Sequence, residues 1–355
     1  MSEGDTVARP VAKRLALPSW LVAGGAPVAG ALVGLAIGAL LIRLTGADPL
    51  QAYATMVRGA FGGPRQITDT ILKASPLLLV GLGLTAAFRA RVWNIGGEGQ
   101  YYMGALCGGI VALYCANWPR PLLLVTMLGA GVAGGMAWAL VAAVLKVRRG
   151  MSEIISTLML NYIAILFMQY MARGPLQEPG GYLPESAQFA ASTRLPTLLG
   201  TRVHLGVLIA VLLVPLVYAL LWSTPLGFRL RAVGSRESVA RYAGISVEWA
   251  IVFALAFSGG LSGLAGIVEV STLHTRLKAA ISGGYGFSGI LVALLGRMHP
   301  VGVAIASVFF AALIIGAQSM HVVSGLPDAL ANAVQALIVL CVLAADALAR
   351  RRLNA

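Results

Sequence analysis

Two amides and a carboxylate interrupt the apolar sequence within one short, glycine-rich segment. Residues 91–100 read RVWNIGGEGQ and include Asn94, Glu98 and Gln100. Polar side chains are costly in hydrocarbon, so those within membrane segments face a cavity or another helix. Backbone that leaves the helix at membrane depth is tolerated only where protein buries it or where it lines a water-filled space. The segment therefore predicts either a helix break beside a path for a polar solute or an ordinary turn between helices.

A second glycine-rich segment and one isolated amide also place polar groups within apolar sequence. Residues 281–289 read ISGGYGFSG, and they offer Tyr285, Phe287 and Ser288 for contact with a solute. Asn161 lies about two turns inside an apolar stretch, where an amide either bonds to a neighbouring helix or lines a polar path. Amides and hydroxyls with few charges suit an uncharged polar solute.

The elements that must position these residues are membrane-spanning helices. Of the 355 residues, 58% are hydrophobic and only 11% are charged, which excludes a soluble globular enzyme and a disordered chain. About 20 apolar residues in a helix cross the hydrocarbon core. The sequence predicts an all-α polytopic membrane protein, with residues 1–355 forming a single transmembrane domain. Ten stretches are the candidate spans: 21–42, 72–88, 101–117, 121–145, 154–172, 203–222, 247–269, 286–297, 300–318 and 327–347.

Charge distribution predicts the orientation of these spans. The net charge is +13, but the basic residues lie in short gaps between apolar stretches and not on a water-soluble module, so nucleic acid is not an expected partner. With ten spans most basic groups fall on one side, which the positive-inside rule makes the cytoplasm. Both termini are then inside, with 1–20 a cytoplasmic segment. The loops 43–71 and 173–202 are external and 223–249 is internal.

The two glycine-rich segments stand at corresponding places in the chain. Each follows the first span of a four-span unit, 72–172 or 247–347, and by this topology the two face opposite sides. That order predicts an inverted repeat of spans 2–5 and 7–10. The first stretch is interpreted as a retained span, because Gly30, Gly34 and Gly38 recur every fourth residue as on a packed helix face.

The internal loop 223–249 is longer than a simple connection requires. It mixes arginines with apolar residues at helical spacing, which predicts a short helix broken at Gly234 and ended at Gly244. Such an amphipathic segment either docks against a partner protein or lies on anionic lipid.

The sequence contains no recognisable motif for nucleotide binding or ion coupling. None of its four lysines follows a glycine, so none can belong to a phosphate-cradling loop. The four histidines are isolated, so no metal site is expected, and the spans offer almost no carboxylates for ion coupling. The chain is therefore expected to form a pathway through the membrane. It is not expected to be an enzyme or to bind a cofactor. An ion-coupled secondary transporter of a small polar solute remains an alternative, as does a scaffold protein.

Five segments in matching order resemble a known family. They are VWNIGGEGQYYMGAL (92–106), MSEIISTLMLNYIA (151–164), RGPLQEPGG (173–181), STPLGFRLRAVGSRESVARYAGI (223–245) and GGYGFSGILVALLGRMHPVGV (283–303). They resemble the permease subunits of bacterial ABC importers that serve branched-chain amino acids, simple sugars and nucleosides, and most of all the larger permease of nucleoside-type systems. Ser288 departs from the acidic or threonine residue of many relatives, and an asparagine often found near 235–237 is missing.

The resemblance implies a permease subunit in the bacterial inner membrane that imports nucleosides or related sugar-like solutes. Its implied partners are a second related permease, two cytoplasmic ATPase subunits or one fused tandem ATPase that bind ATP and Mg, and an extracytoplasmic solute-binding protein. Residues 223–249 would be the loop that couples to the ATPase, carried by Gly227, Arg229, Arg231, Ala232, Gly234, Arg241 and Gly244. The expected solute pathway comprises Asn94, Glu98, Gln100, Asn161, Tyr285, Phe287 and Ser288.

Overall fold

The computed structural model describes residues 19–198 and 200–354, with side chains from residue 25 to residue 349 apart from 199. The predicted cytoplasmic segment 1–20 falls almost entirely outside these ranges. The predicted all-α architecture is confirmed, since the described residues form helices and isolated bridges but no strands. The helices are α1 (Ser19–Leu44), α2 (Pro49–Phe61), α3 (Pro64–Arg89), α4 (Gly97–Tyr114), α5 (Arg120–Arg149), α6 (Glu153–Arg173), α7 (Leu205–Ser223), α8 (Pro225–Ser235), α9 (Glu237–Tyr242), α10 (Val247–Glu269), α11 (Tyr285–Leu295), α12 (Pro300–Ser324) and α13 (Asp328–Asn354).

Each of the ten predicted apolar stretches coincides with a helix. Among the described residues, eight helices are long and apolar enough to cross a membrane, and α4 and α11 are the two predicted spans outside that set. α11 has only 11 residues, while the first turn of α4 contains Glu98 and Gln100. The count of ten spans and the orientation of both termini therefore stay predictions.

The stretch 43–71, expected to be an external loop, is largely helical. It contains all of α2 and the start of α3. Asp48 accepts a hydrogen bond from the amide of Leu50 at 2.9 Å, and Pro49 and Pro64 stand at the first positions of the two helices. Proline suits a helix start because its missing N–H would be unpaired there anyway. At 13 residues, α2 is too short to give the pattern of a span.

The helices cluster into two compact units. The first unit contains α1 and α13. Gly30 and Gly34 lie against the backbone of α13 at Cys341 and Ile338, and Gly38 is also buried. The predicted glycine face of the first span is therefore a packing face.

The second unit, Tyr53–Gly325, has α3, α4, α5 and α10 at its centre. Its helices cross where glycine faces glycine. Gly263 of α10 lies against both Gly104 of α4 and Gly131 of α5, so a Cβ on Gly104 or on Gly263 would overlap backbone. Small residues allow this approach, and close packing replaces the hydrophobic drive that lipid does not supply.

Both glycine-rich segments interrupt this helical frame. The first break, residues 90–96, separates α3 from α4. The second break, residues 275–284, follows α10 and its terminal π-helical turn Val270–His274. It starts at Thr275 and ends at Gly284, both in the left-handed region (φ 52° and 86°), and α11 begins directly after it.

The loop 173–202, which is predicted to be external, is irregular, as its prolines and glycines predict. Among its described residues it contains one 3-10 turn, Ala191–Thr193, and Gly180 adopts the left-handed conformation that its turn requires (φ 76°).

Candidate functional site

The two breaks place the N-termini of α4 and α11 against each other. Gly286 of α11 abuts the backbone of Gly97 and Glu98, and an added Cβ would overlap it. The Glu98 carboxylate, from the first turn of α4, accepts a hydrogen bond from the amide of Gly286 at 2.7 Å and is 3% exposed. Each helix N-terminus carries about half a positive charge. One carboxylate therefore faces two converging positive ends.

Asn94 lies in the first break and forms a network of hydrogen bonds there. Its Nδ2 donates to Gln100 Oε1 and to Ser258 Oγ of α10, both at 2.9 Å. Its Oδ1 accepts from the amide of Gly96 at 2.9 Å and from Gln100 Nε2 at 3.0 Å. Asn94, Gln100 and Ser258 are buried, and every polar atom of the Asn94 amide is bonded. The network holds the break in one conformation and ties it to α10.

Asn161 of α6 holds the same break from the other side. Its Oδ1 accepts from the amide of Gly99 at 2.7 Å, and its Nδ2 donates to the carbonyl of Ile95 at 2.8 Å. Thr157 Oγ1, one turn earlier, accepts from the amide of Ile95 at 3.1 Å. The interhelical hydrogen bonding considered for Asn161 is therefore present, since both ends of its amide bond to backbone freed by the break.

The second break has its own polar cluster. Ser282 Oγ accepts from the amides of Gly284 (3.0 Å) and Tyr285 (3.1 Å) and so caps α11. The Tyr285 hydroxyl donates to Glu269 Oε1 at 3.0 Å, and Lys73 Nζ lies 4.9 Å from the centre of the Tyr285 ring. Tyr101 packs against the same ring, fully buried, and its hydroxyl has no hydrogen-bond partner among the described residues.

The sequence did not single out Lys73, Tyr101 or Glu269 as site residues. Lys73 and Glu269 stand near the ends of their apolar stretches, where a charge is usually an interfacial residue. A lysine and a carboxylate near span ends are the only sequence signal that could have drawn attention to them.

The predicted pathway residues differ in accessibility. Phe287 is 38% exposed and Ser288 is partly exposed. The buried ones are Asn94, Glu98, Gln100, Asn161 and Tyr285. The structure thus brings all seven to the junction of the two breaks, but only Phe287 and Ser288 among them have exposed surface in this conformation.

Ion pairs and backbone hydrogen bonds attach the loop 173–202 to the second break. Arg276 Nη1 lies 2.7 Å from Glu178 Oε2 and 3.3 Å from Glu185 Oε1. Backbone amides add to this contact, since Ser186 donates to the carbonyl of Leu277 (2.8 Å) and Phe189 to that of Thr275 (2.9 Å). The loop and the break therefore form one continuous structure.

The segment 223–249 folds as α8 and α9. The predicted break at Gly234 is wrong, because Gly234 lies inside α8 and the helix is interrupted at Arg236. The predicted end is confirmed, since α9 ends at Tyr242, just before Gly244. Thr224 caps α8 by accepting from the amide of Gly227 at 3.1 Å. Gly227 lies against the carbonyls of Leu220 and Leu221 in α7, and Gly234 lies against the carbonyl of Arg89 at the end of α3. These contacts leave no room for a Cβ, so α8 packs directly against the ends of α3 and α7.

Aromatic and basic side chains reinforce this attachment. The guanidinium groups of Arg89 and Arg231 lie 5.0 and 5.9 Å from the ring of Trp222. Arg89 Nε also donates to the carbonyl of Met298 at 2.9 Å. The end of α3, the end of α7 and the turn after α11 thus meet beside α8.

The outward face of α8 and α9 combines apolar and basic side chains. Phe228, Val239 and Tyr242 are 60%, 56% and 96% exposed. Phe228 and Tyr242 are not among the residues that the sequence pattern indicated. Exposed arginines surround them, and Arg241 pairs with Glu248 at 2.9 Å. A shallow depression beside this face is lined by Arg91, Ser235, Arg236, Glu237, Ser238 and Arg241.

No group of histidine, cysteine, aspartate and glutamate side chains suited to a metal ion forms in the part of the chain that the structure describes. The expectation that ATP and Mg bind to a partner ATPase, and not to this chain, stays a prediction.

These features define a multi-pass membrane protein with broken helices, and comparison with known proteins identifies its family. Residues 66–343 match the family described as the branched-chain amino acid transport system / permease component. The chain is 36% identical over 352 residues to the glucose ABC transporter permease protein TsgB13 of Haloferax volcanii, covering 96% of this chain and 92% of the relative. It is also 36% identical over 325 residues to the guanosine ABC transporter permease protein NupP of Bacillus subtilis, covering 89% and 92%. No solved structure matches it.

The chain therefore belongs to this permease family, as its five sequence segments indicated. It is a permease subunit of an ABC transporter in the plasma membrane, and not an enzyme. It functions within a system that has ATPase and solute-binding-protein partners. The family favours this function over an ion-coupled secondary transporter.

Proposed function

We propose that this chain forms part of the import pathway for uncharged, sugar-like solutes, with nucleosides as the foremost class. The observation that carries the proposal is the equal identity, 36% over nearly the whole chain, to permeases named for glucose and for guanosine. A third relative, the nucleoside permease protein NupB of Lactococcus lactis, is 28% identical over 323 residues. Glucose and guanosine are both uncharged, and each carries a hydroxyl-rich sugar ring.

The chemistry of the accessible junction suits such a solute. Phe287 offers an exposed aromatic face, and the neighbouring Ser288 offers a partly exposed hydroxyl. Ligand sites generally combine apolar and aromatic walls with a few placed polar groups. The Glu98 carboxylate is buried and bonded to the amide of Gly286, so it is not presented to a solute in this conformation.

We further propose that α8 and α9 couple this chain to an ATPase. Gly227 and Gly234 fix α8 to the ends of α7 and α3, and the exposed Phe228 and Tyr242 provide aromatic surface of the kind that dominates protein interfaces. Arg229, Arg231, Ala232, Arg241 and Gly244 complete the coupling segment. ATP-driven closure of the ATPases would then move α8, and with it the end of α3 that leads into the first break.

A second, related permease is the expected partner in the pore. Two different guanosine permease proteins, NupP and NupQ, occur in Bacillus subtilis, and this chain is similar to both (36% and 28% identical). The glucose permease protein TsgB13 and the putative glucose permease protein TsgC13 of Haloferax volcanii give the same picture (36% and 27%). The full assembly would add two ATPase subunits or one fused ATPase, and an extracytoplasmic binding protein.

Reconstitution of the assembly tests this function. The chain, its neighbouring permease and ATPase genes and the binding protein would be expressed together, placed in proteoliposomes and supplied with labelled guanosine, adenosine, glucose or leucine. We expect ATP-dependent uptake of a nucleoside or a sugar, and none without ATP. Uptake of leucine alone would overturn the solute class, and uptake by the purified chain alone under an ion gradient would overturn the mechanism.

A further inference from the structure

The junction of the two broken helices depends on one carboxylate. Glu98 lies in the first turn of α4, and its Oε2 accepts from the amide of Gly286 in the first turn of α11 at 2.7 Å. The donor to this carboxylate therefore belongs to the start of α11, and Ser282, in the break just before it, caps the same helix.

Electrostatics explains why a carboxylate stands here. Each helix N-terminus carries about half an elementary positive charge, and the effect acts within the first turn. Two such ends in contact repel each other unless an anion lies between them. Glu98 is 3% exposed, so water supplies little screening and the side chain must provide the compensating charge.

The backbone leaves no room for another arrangement at this point. Gly97 lies against the backbone of Gly286, and Gly99 lies against Asn161 of α6. The start of α4 is therefore enclosed by protein on both sides, and a solute has no access to the Glu98 carboxylate in this conformation.

We propose that Glu98 is a positioning residue that holds α11 to α4 and so sets where Phe287 and Ser288 face the solute. Glu98 itself does not contact the solute. The expected effect of Glu98 on transport rests on the proposed function. The effect of Glu98 on the position of α11 does not depend on it. This assignment replaces the interpretation of Glu98 as a pathway-lining residue.

The test uses the full complex and a reporter at the start of α11. Ser288→Cys would be introduced after replacing Cys107, Cys115 and Cys341 with serine, and the rate of modification by a water-soluble maleimide would be measured in membranes. We expect Glu98→Ala to change that rate by about tenfold, since a hydrogen bond to a charged group is lost. Glu98→Gln keeps an acceptor oxygen and should change it less.

Glu153→Gln is the matched control, because Glu153 is a similarly buried carboxylate that pairs with Lys146 at 2.6 Å and has no contact with α11. It should leave the labelling rate at position 288 unchanged. Transport provides the second readout. The Glu98 variants should lower the maximal uptake rate by the same factor for every solute, with the half-saturating concentrations unchanged.

The outcomes separate this proposal from the proposed function. If the Glu98 variants change the preference between solutes but not the labelling rate, Glu98 contacts the solute. If they change neither the labelling rate nor the uptake, Glu98 neither contacts the solute nor positions α11. Each of these two results overturns the proposal. If Glu98→Ala fails to assemble, the same criteria apply to Glu98→Gln. If the wild-type complex imports no nucleoside or sugar, the proposed function fails, while the labelling comparison still decides the role of Glu98.

Discussion

Arg276 Nη1 lies 2.7 Å from Glu178 Oε2 and so joins the second helix break to the loop 173–202. The same guanidinium reaches Glu185 at 3.3 Å, and a backbone hydrogen bond from Ser186 to Leu277 continues the contact. The loop is therefore held to the segment directly before α11.

Replacing Arg276 with alanine should loosen the loop from the break. The ion-pair partners are partly exposed (25% for Arg276 and 38% for Glu178), so we expect a loss of only about 1 kcal/mol. That corresponds to amide exchange about fivefold faster at Ser186 and Phe189, whose amides bond to the break. Hydrogen exchange followed by mass spectrometry would measure the change.

Arg202→Ala provides the control for this prediction. Arg202 belongs to the same loop but pairs with Asp69 of α3 at 3.1 Å. Its removal should leave exchange at Ser186 and Phe189 unaltered. Equal acceleration by both variants would mean that any loss of charge destabilises the loop, and that Arg276 has no special role.

Replacing Gly234 with alanine should abolish coupling. A Cβ at this position would overlap the carbonyl of Arg89, and relieving such overpacking costs about 1–3 kcal/mol or moves α8. We expect ATP-driven uptake to fall by about tenfold or more while the amount of protein in the membrane is kept. Arg231→Glu should have a similar effect, because it removes the cation from the face of Trp222.

Gly129→Ala is the appropriate comparison for Gly234→Ala. Gly129 is also helical, in α5, and nothing lies within 4 Å of an added Cβ. Alanine favours a helix by about 1 kcal/mol over glycine, so this variant should transport normally and be at least as stable. Normal uptake by Gly234→Ala would contradict the assignment of α8 to coupling.

Tyr242 should contribute strongly to ATPase binding. It is 96% exposed on α9, and truncating a central aromatic residue at an interface costs about 2 kcal/mol or more. Tyr242→Ala should therefore weaken binding of the ATPase to nanodisc-embedded permease by about 30-fold, as measured by interferometry. Tyr182→Ala, on the equally exposed tip of the loop 173–202, should leave that affinity unchanged. The opposite pattern would reverse the predicted orientation of the whole chain.

The sequence predicted the helices and the position of both breaks, because hydropathy and glycine clusters are local signals. It also predicted the packing role of Gly30 and Gly34, which face the backbone of α13. It missed α2, because a 13-residue helix falls below the length of a span. The inverted repeat stays a prediction, although the meeting of the α4 and α11 N-termini agrees with it.

The sequence does not reveal which polar residues, far apart in the chain, form hydrogen bonds with each other. Glu98 and Gly286 are 188 residues apart, and no local pattern indicates that a carboxylate will bond to that amide. Tyr285 and Glu269 are close in sequence, but only the second break brings the hydroxyl to the carboxylate. Such contacts arise from the packing of α3, α4, α10 and α11, which depends on the whole set of glycine crossings.

Asn94 offers the clearest separation between a structural and a solute-binding role. Asn94→Leu keeps the size of the side chain but leaves Gln100, Ser258 and the amide of Gly96 without a buried partner. Hydrogen bonds in membrane proteins are worth about 0.6–2 kcal/mol each, so we expect a loss of about 2–4 kcal/mol. At about 2–4 °C per kcal/mol, the thermal midpoint in detergent should fall by about 4 °C or more.

The control for this substitution is Asn332→Leu, because the exposed amide of Asn332 bonds only to Asp328 at 3.0 Å within one helix turn. Its midpoint should stay within about 1 °C of wild type, since an exposed pair contributes little. A stable Asn94→Leu protein that no longer imports solute would assign Asn94 to the solute. A destabilised protein with proportionally reduced uptake would show that Asn94 maintains the conformation of the first break. Asn94 is buried, so loss of its hydrogen bonds acts first on the backbone between Ala90 and Gly96.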